Sequence, residues 1–232
     1  MSPLLRRLRA FYVLIFASPV FCQGLQLGLK AGIPMTQYFD TGATGSLHGS
    51  AAYSAATRRY TVGASAEWRF RNSFGFELDA MYHRMGYVAI VHFFDSANGN
   101  FQDSAIDVKG NSWDFPVLAK YRFGHVTRPY VAAGGIVRYV GPVRGRGEQT
   151  IGSLVDRSSS TTPLDTGDPS ELRKRFYPGL TAAAGLEAKV HAGHLRVLSE
   201  FRYTRWTANI SAPGGLLRFA SNQAEFLAGV LF

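Results

Sequence analysis

The chain has 232 residues, a formal charge of +9, a mean hydropathy of -0.04 and one cysteine. That length supports one domain with a sizeable core, the near-zero hydropathy excludes a bundle of helical membrane spans, and a lone cysteine excludes a disulfide framework. The basic residues are spread along the chain without a Lys/Arg stripe, so no nucleic-acid partner is expected.

In chain order, the first feature is the apolar run at residues 10–22. It is shorter than the about 20 residues a spanning helix needs. Arg6, Arg7 and Arg9 precede it and Pro19 breaks it. A basic start, a short apolar middle and a polar continuation read as a secretory leader over 1–22, with cleavage near Cys22 and a mature domain over 23–232. Phe21 is too bulky for the residue before a lipidated cysteine. With the leader gone the mature domain has no cysteine and loses three arginines.

Residues 23–34 alternate: Leu25, Leu27, Leu29, Ala31 and Ile33 on one face, Gln26, Gly28, Lys30 and Gly32 on the other. A period of two predicts a β-strand with one apolar face. Residues 36–59 are rich in Gly, Ser, Ala and Thr and read as a long loop. Residues 60–70 form the cleanest strand, with Tyr60, Val62, Ala64, Ala66, Trp68 and Phe70 opposite Thr61, Ser65, Glu67 and Arg69. Arg71-Asn72-Ser73 is a tight turn, and 74–87 returns with Phe74, Phe76, Leu78, Ala80 and Tyr82 on one face. Two matched strands across a short turn predict a hairpin.

Residues 88–110 read as a second long connection whose apolar start extends the hairpin. The strand at 113–123 carries Trp113, Phe115, Val117, Ala119, Tyr121 and Phe123 against Asp114, Lys120 and Arg122, with a bulge expected at Pro116. After a short link at 124–128, residues 129–141 form a strand whose facing is ambiguous: either Val131, Ala133, Val137 and Tyr139 point out, or Tyr130, Ala132 and Ile136 do. Residues 142–175 read as the longest loop. Strands follow at 176–190 and 195–206, separated by a short turn at 191–194. After a loop at 207–221, a final strand at 222–232 has Phe226, Ala228, Val230 and Phe232 on one face.

The result is eight strands near eleven residues long, joined by alternating long and short connections. This asymmetry predicts an all-β, eight-stranded antiparallel transmembrane β-barrel with short periplasmic turns and long extracellular loops. The polar faces carry Lys30, Arg69, Lys120, Arg122, Lys189, Arg196 and Arg202, balanced by Glu67, Glu77, Asp79, Asp114, Glu187, Glu200 and Glu225. A narrow barrel buries such residues, and buried charges need partners. On the other face the aromatics gather at the strand ends, and the middles are Ala, Val and Leu. Trp68, Phe70, Phe74, Tyr121, Phe123 and Phe232 lie at the short-turn end; Tyr60, Tyr82 and Trp113 lie at the other. Two girdles around an apolar band fit two membrane interfaces. Trp206 departs from the pattern, because its parity points it inward.

The run Phe115-Pro116-Val117-Leu118-Ala119-Lys120-Tyr121-Arg122-Phe123, followed by Arg128-Pro129-Tyr130-Val131 and the glycines of the next strand, resembles the PorT-like outer-membrane β-barrel domain family. The layout also resembles small OmpA/OmpX-type barrels. The resemblance implies an outer-membrane location and says little about activity. Phe232, with apolar residues alternating before it, resembles the signal by which barrel-assembly machinery recognises its clients.

The chemistry in the sequence is sparse. His83 and Asp79 share a face, with Thr61 and Ser65 opposite them across the hairpin, so a Ser/His/Asp set can be drawn. No nucleophile elbow or enzyme motif accompanies it. His191 and His194 lack further metal ligands nearby, His48-Gly49-Ser50 lies in a loop, and Gly145–Gly147 lacks a phosphate-loop lysine. Arg144, Arg146, Arg157, Arg173, Lys174 and Arg175 make the third long loop basic, a feature that suits lipopolysaccharide phosphates. The expectation is a monomeric outer-membrane barrel with a structural or surface-binding role, lipid and lipopolysaccharide as its partners, and no catalysis, cofactor or metal. An outer-membrane hydrolase using His83 and a soluble periplasmic ligand-binding barrel are the alternatives. Eight strands leave no room for a wide pore.

Overall fold

The computed structural model describes residues 24–70, 73–124, 127–167, 175–190, 195–207 and 216–232. The expected leader, the turn at Arg71-Asn72, the His191–His194 turn, and Arg173 and Lys174 lie outside these residues.

Among the described residues there are thirteen strands: β1 (Leu25–Pro34), β2 (Phe39–Thr41), β3 (Ala43–Ser46), β4 (Gly49–Ala55), β5 (Thr61–Arg69), β6 (Phe74–Asp95), β7 (Asn100–Arg122), β8 (Thr127–Ser153), β9 (Ser158–Thr166), β10 (Phe176–Lys189), β11 (Arg196–Trp206), β12 (Leu217–Phe219) and β13 (Asn222–Leu231). Eight of them, β1, β5, β6, β7, β8, β10, β11 and β13, form a ring of antiparallel neighbours. β13 closes it against β1, from Gly28 opposite Leu231 to Pro34 opposite Glu225. Closure is what a membrane demands, since hydrocarbon offers no partner for an open strand edge.

The apolar faces point out. Leu25, Leu27, Leu29 and Ile33 on β1, Phe76 and Leu78 on β6, and Phe115 and Val117 on β7 are all exposed. The facing of β8 is settled in favour of Val131, Ala133 and Val137 outward and Tyr130, Ala132 and Ile136 inward. Aromatic side chains ring both ends of this apolar wall. Tyr82 lies opposite Trp113, Trp113 opposite Tyr139 and Tyr139 opposite Phe176, a continuous outer row across four strands. Phe74, Phe76, Tyr121 and Phe123 mark the other end. Phe123 is ten steps along the chain from Trp113. At about 3.3 Å per residue and a tilt of about 40°, they span about 25 Å, the height of an outer-membrane apolar band.

Three of the expected loops are in fact largely strand. β6 and β7 run together to a turn after Asp95, β8 continues to Ser153 and pairs with β9, and residues 36–59 contain β2, β3 and β4. Beyond the outer aromatic row they make a sheet in the order β3-β4-β6-β7-β8-β9. From Tyr82 to Asp95 this sheet extends by about 40 Å along the strand. Gly, Ser and Thr hid these strands, because neither face of β9 is apolar and every residue from Ser158 to Pro163 is exposed.

The bulge expected at Pro116 is elsewhere. Pro116 keeps register with Ile136, and only the pairings of β6 with Phe115 and Pro116 are skipped, without any slip. The register shifts instead between Gly110 and Ser112, where Gly141 and Pro142 of β8 face the single residue Asn111. Arg175 secures this bulge by donating to the Gly141 carbonyl at 2.6 Å.

Above the charged interior lies an apolar core. Met85, Tyr87, Val108, Val140 and Val143 continue the inner face of the sheet and meet Tyr38, Phe39, Tyr177, Leu217 and Phe219. β2 pairs with β12 to bring Phe39 against Phe219, ring centroids 4.8 Å apart. This plug closes the mouth at that end of the barrel.

The sealed interior and the candidate site at His83

Inside the wall the charges form two layers. In the lower layer Lys30 on β1 donates to Glu77 at 2.5 Å, Asp79 at 3.1 Å and Glu200 at 3.3 Å. Lys120 on β7 reaches Glu67 at 3.2 Å, Glu77 at 2.9 Å and Glu187 at 2.8 Å. Arg122 pairs with Glu67 and donates Nε and Nη2 to Glu187, and Arg202 contacts Asp79 and Glu200 at 2.5 Å each. Each strand supplies its charges at alternate positions because the pleat turns them all inward. No member has water to fall back on, so each depends on its neighbours.

Glycine makes room for part of this layer. Tyr130 lies across Gly185 on the neighbouring strand; a Cβ there would be 2.6 Å from the phenol oxygen. The phenol donates to Glu200 at 2.8 Å, and the Lys120 ammonium is 3.8 Å above the ring. Lys189, expected inside, is exposed at the end of β10. Arg138, left unassigned by the ambiguous strand, takes its place and keeps the interior in balance.

The upper layer holds the residues singled out for chemistry. As the hairpin register predicts, Thr61 faces His83 and Ser65 faces Asp79. Thr61 Oγ1 and His83 Nδ1 are 2.9 Å apart, and the Tyr38 hydroxyl contacts the same nitrogen. The Ser/His/Asp set is not assembled. Asp79 is committed to Lys30 and Arg202 in the lower layer, and Ser65 Oγ is buried without a partner among the described residues. The carboxylate beside His83 is Asp114, whose Oδ2 lies 3.1 Å from Nε2. Asp114 in turn is gripped by Arg138, which donates Nε and Nη2 at 2.7 Å each. Arg138 also donates to Gln223 at 2.8 Å and lies over the rings of Tyr38 and Trp206. Trp206 thus points inward, as its parity indicated, and is the aromatic shelf for a guanidinium.

Ligand atoms of His83, Asp114 and Glu225 lie within 4.8 Å of one another, a grouping that invites a metal. Arg138 answers it: both Asp114 oxygens already bind a cation, and that positive charge repels a second one. His83 is 1% exposed, with the plug above and the lower ion layer beneath, so among the described residues it is enclosed on both sides. The other sequence candidates lie apart. His48 is in the turn between β3 and β4, and Gly145 and Gly147 are strand residues of β8. Arg144 and Arg146, expected in a loop, also belong to β8.

Residues 16–205 match the family described as outer membrane protein beta-barrel domain. Among solved structures the chain is similar to Neisserial surface protein A (18% identity, 90% of this chain and 96% of that one, TM-score 0.39). It is also similar to Ail, the attachment invasion locus protein of Yersinia pestis (13%, 90% and 97%, TM-score 0.40). A third is OprG from Pseudomonas aeruginosa (14%, 90% and 94%, TM-score 0.47). Comparison with curated proteins gave no match. A family match over most of the chain, on a closed ring of eight strands with an apolar outer wall, places this protein in the outer membrane protein beta-barrel domain family and in the outer membrane of a Gram-negative envelope.

Proposed function

We propose that this barrel serves as a membrane anchor for a projecting β-sheet, and that its role is structural or surface-binding, exerted through that sheet and not through catalysis or transport. The observation that carries this reading is the sheet β3-β4-β6-β7-β8-β9 standing beyond the outer aromatic row. The filled interior supports it from the other side, since ion pairs and an apolar plug occupy the lumen. His83 is enclosed, which argues against hydrolysis. The closed ring leaves no strand edge within the membrane, which favours a monomer. Assembly through β13 belongs to the same proposal, with Phe232 exposed to lipid beside the β1–β13 seam. The narrower PorT-like affiliation rests on the run from Phe115 to Phe123 and on Arg128-Pro129-Tyr130-Val131.

A single-cysteine variant tests the orientation. Ser159→Cys lies on exposed β9. A membrane-impermeant maleimide should label it in intact cells. Labelling only after the outer membrane is opened would overturn the reading, as would ion conductance by the wild-type barrel in a planar bilayer.

A further inference from the structure

Just beyond the outer aromatic row, the outward face of the wall turns basic in one sector. Arg84 on β6 is two residues past Tyr82 and faces Asn111 on β7. Lys109 on β7 faces Arg144 on β8, and Asp107 faces Arg146. These six side chains line one cleft of about 570 Å³. Asp107 is bonded to Lys109, and among the described residues Arg84, Arg144 and Arg146 have no carboxylate partner.

The bulge aims this cluster. Tyr139 points out, so strict alternation would turn Val143 outward and the side chains of Arg144 and Arg146 into the apolar plug. The extra residue at Gly141-Pro142 reverses the parity, so Val143 is buried and both arginines are exposed. Re-aiming side chains is what a bulge does. The Arg175 bond to Gly141 holds the reversal in place. Three uncompensated cations around one cleft, Arg84 on β6 and Arg144 and Arg146 on β8 across β7, repel one another, and an anion with several acceptor oxygens relieves that repulsion.

Position narrows the ligand. Directly below the cleft, Trp113, Phe115, Val117 and Val137 present an exposed apolar wall. A ligand anchored by phosphates above and acyl chains below would satisfy both surfaces. We propose that Arg84, Lys109, Arg144 and Arg146 form a binding site for the phosphate groups of an outer-leaflet glycolipid of the lipopolysaccharide type. The site rests on the reading that this end of the barrel faces outward. It also moves the expected lipopolysaccharide contact from a long loop to strand residues of β6, β7 and β8.

The test uses the full chain folded in zwitterionic micelles, with tryptophan fluorescence and native mass spectrometry as readouts. The probes are lipopolysaccharide, the same lipid stripped of phosphate, and inorganic phosphate. Lipopolysaccharide should bind, and Arg144→Gln with Arg146→Gln should weaken it by at least about tenfold. Removing the lipid phosphates should cause a similar loss. Arg157→Gln, at the distant hairpin turn, should bind like wild type, and heat-modifiable gel migration should confirm that every variant is folded. Unchanged binding by the double variant overturns the site. Inorganic phosphate binding as tightly as the lipid overturns the lipid assignment. Surface labelling of Ser159→Cys separates the two levels: labelling from outside with unchanged lipid binding removes this site alone, and failed labelling removes the orientation beneath it.

Discussion

Arg138 and Asp114 are cross-strand neighbours on β8 and β7, and two parallel bonds of 2.7 Å join them inside the barrel. The pair links the two chemistries of the lumen. Its carboxylate touches His83, and its guanidinium is stacked on Tyr38 and Trp206 at the base of the plug. Removing one partner strands the other charge. Arg138→Met should destabilise the barrel by about 3–5 kcal/mol, and the double variant with Asp114→Leu should recover most of that loss. Thermal unfolding in detergent, followed by heat-modifiable migration, reads both. Equal losses in the single and double variants would show that the pair is not a unit.

Lys120 serves Glu67, Glu77 and Glu187 together. Lys120→Ala leaves a cluster of buried carboxylates short of one cation and should cost about 3–5 kcal/mol. Lys189, exposed at the end of β10, is the control: Lys189→Ala should change stability by less than about 0.5 kcal/mol. Full thermal stability in Lys120→Ala would mean that the inward network has been drawn wrongly.

The fit of Tyr130 over Gly185 is close enough that one methyl group disturbs it. Gly185→Ala should push the ring away and break its bond to Glu200, lowering the unfolding midpoint more than Tyr130→Phe, which loses the hydroxyl alone. The same melting assay ranks the two. Tyr130→Phe being the worse variant would contradict this packing.

The plug and the ion layers each block the lumen. Phe39→Ala with Phe219→Ala should loosen the mouth and cost about 3 kcal/mol or more. The barrel should still carry no single-channel current, because the charged layers below remain. Current through this variant would assign closure to the plug alone.

At the tip of the β6–β7 hairpin the Asp95 carboxylate accepts from Asn98 at 2.7 Å and from the Ala97 amide at 3.0 Å. The Asn98 bond, then the Ala97 amide, holds its pKa below the usual aspartate value. A lowered folded pKa stabilises the turn above the unfolded pKa of about 3.9, and that contribution is lost as pH falls through the folded value. Exchange of the Ala97 and Asn98 amides should therefore lose protection below about pH 4, relative to the pH trend of unstructured amides. Asp95→Ala should show weak protection at every pH.

The sequence by itself determined the membrane-spanning part of this protein. Period-two alternation from Leu25 to Phe232 decides which face meets lipid, because a pleated strand allows only two faces and hydrocarbon accepts only one of them. The aromatic ends and the balanced inward charges follow from the same constraint. It also gave the correct cross-strand register of Thr61 with His83 and Ser65 with Asp79. Alternation falls silent once lipid no longer selects one face. That is why β3, β4 and β9 looked like loops, and why the β2–β12 closure over the mouth was not foreseen. Only the tertiary structure could decide which carboxylate meets which cation. His83 meets Asp114 and not Asp79 because strands far apart in sequence converge inside a narrow ring. One inserted residue at Gly141-Pro142 then turned two arginines from the core to the membrane surface, a change of parity that no local pattern records.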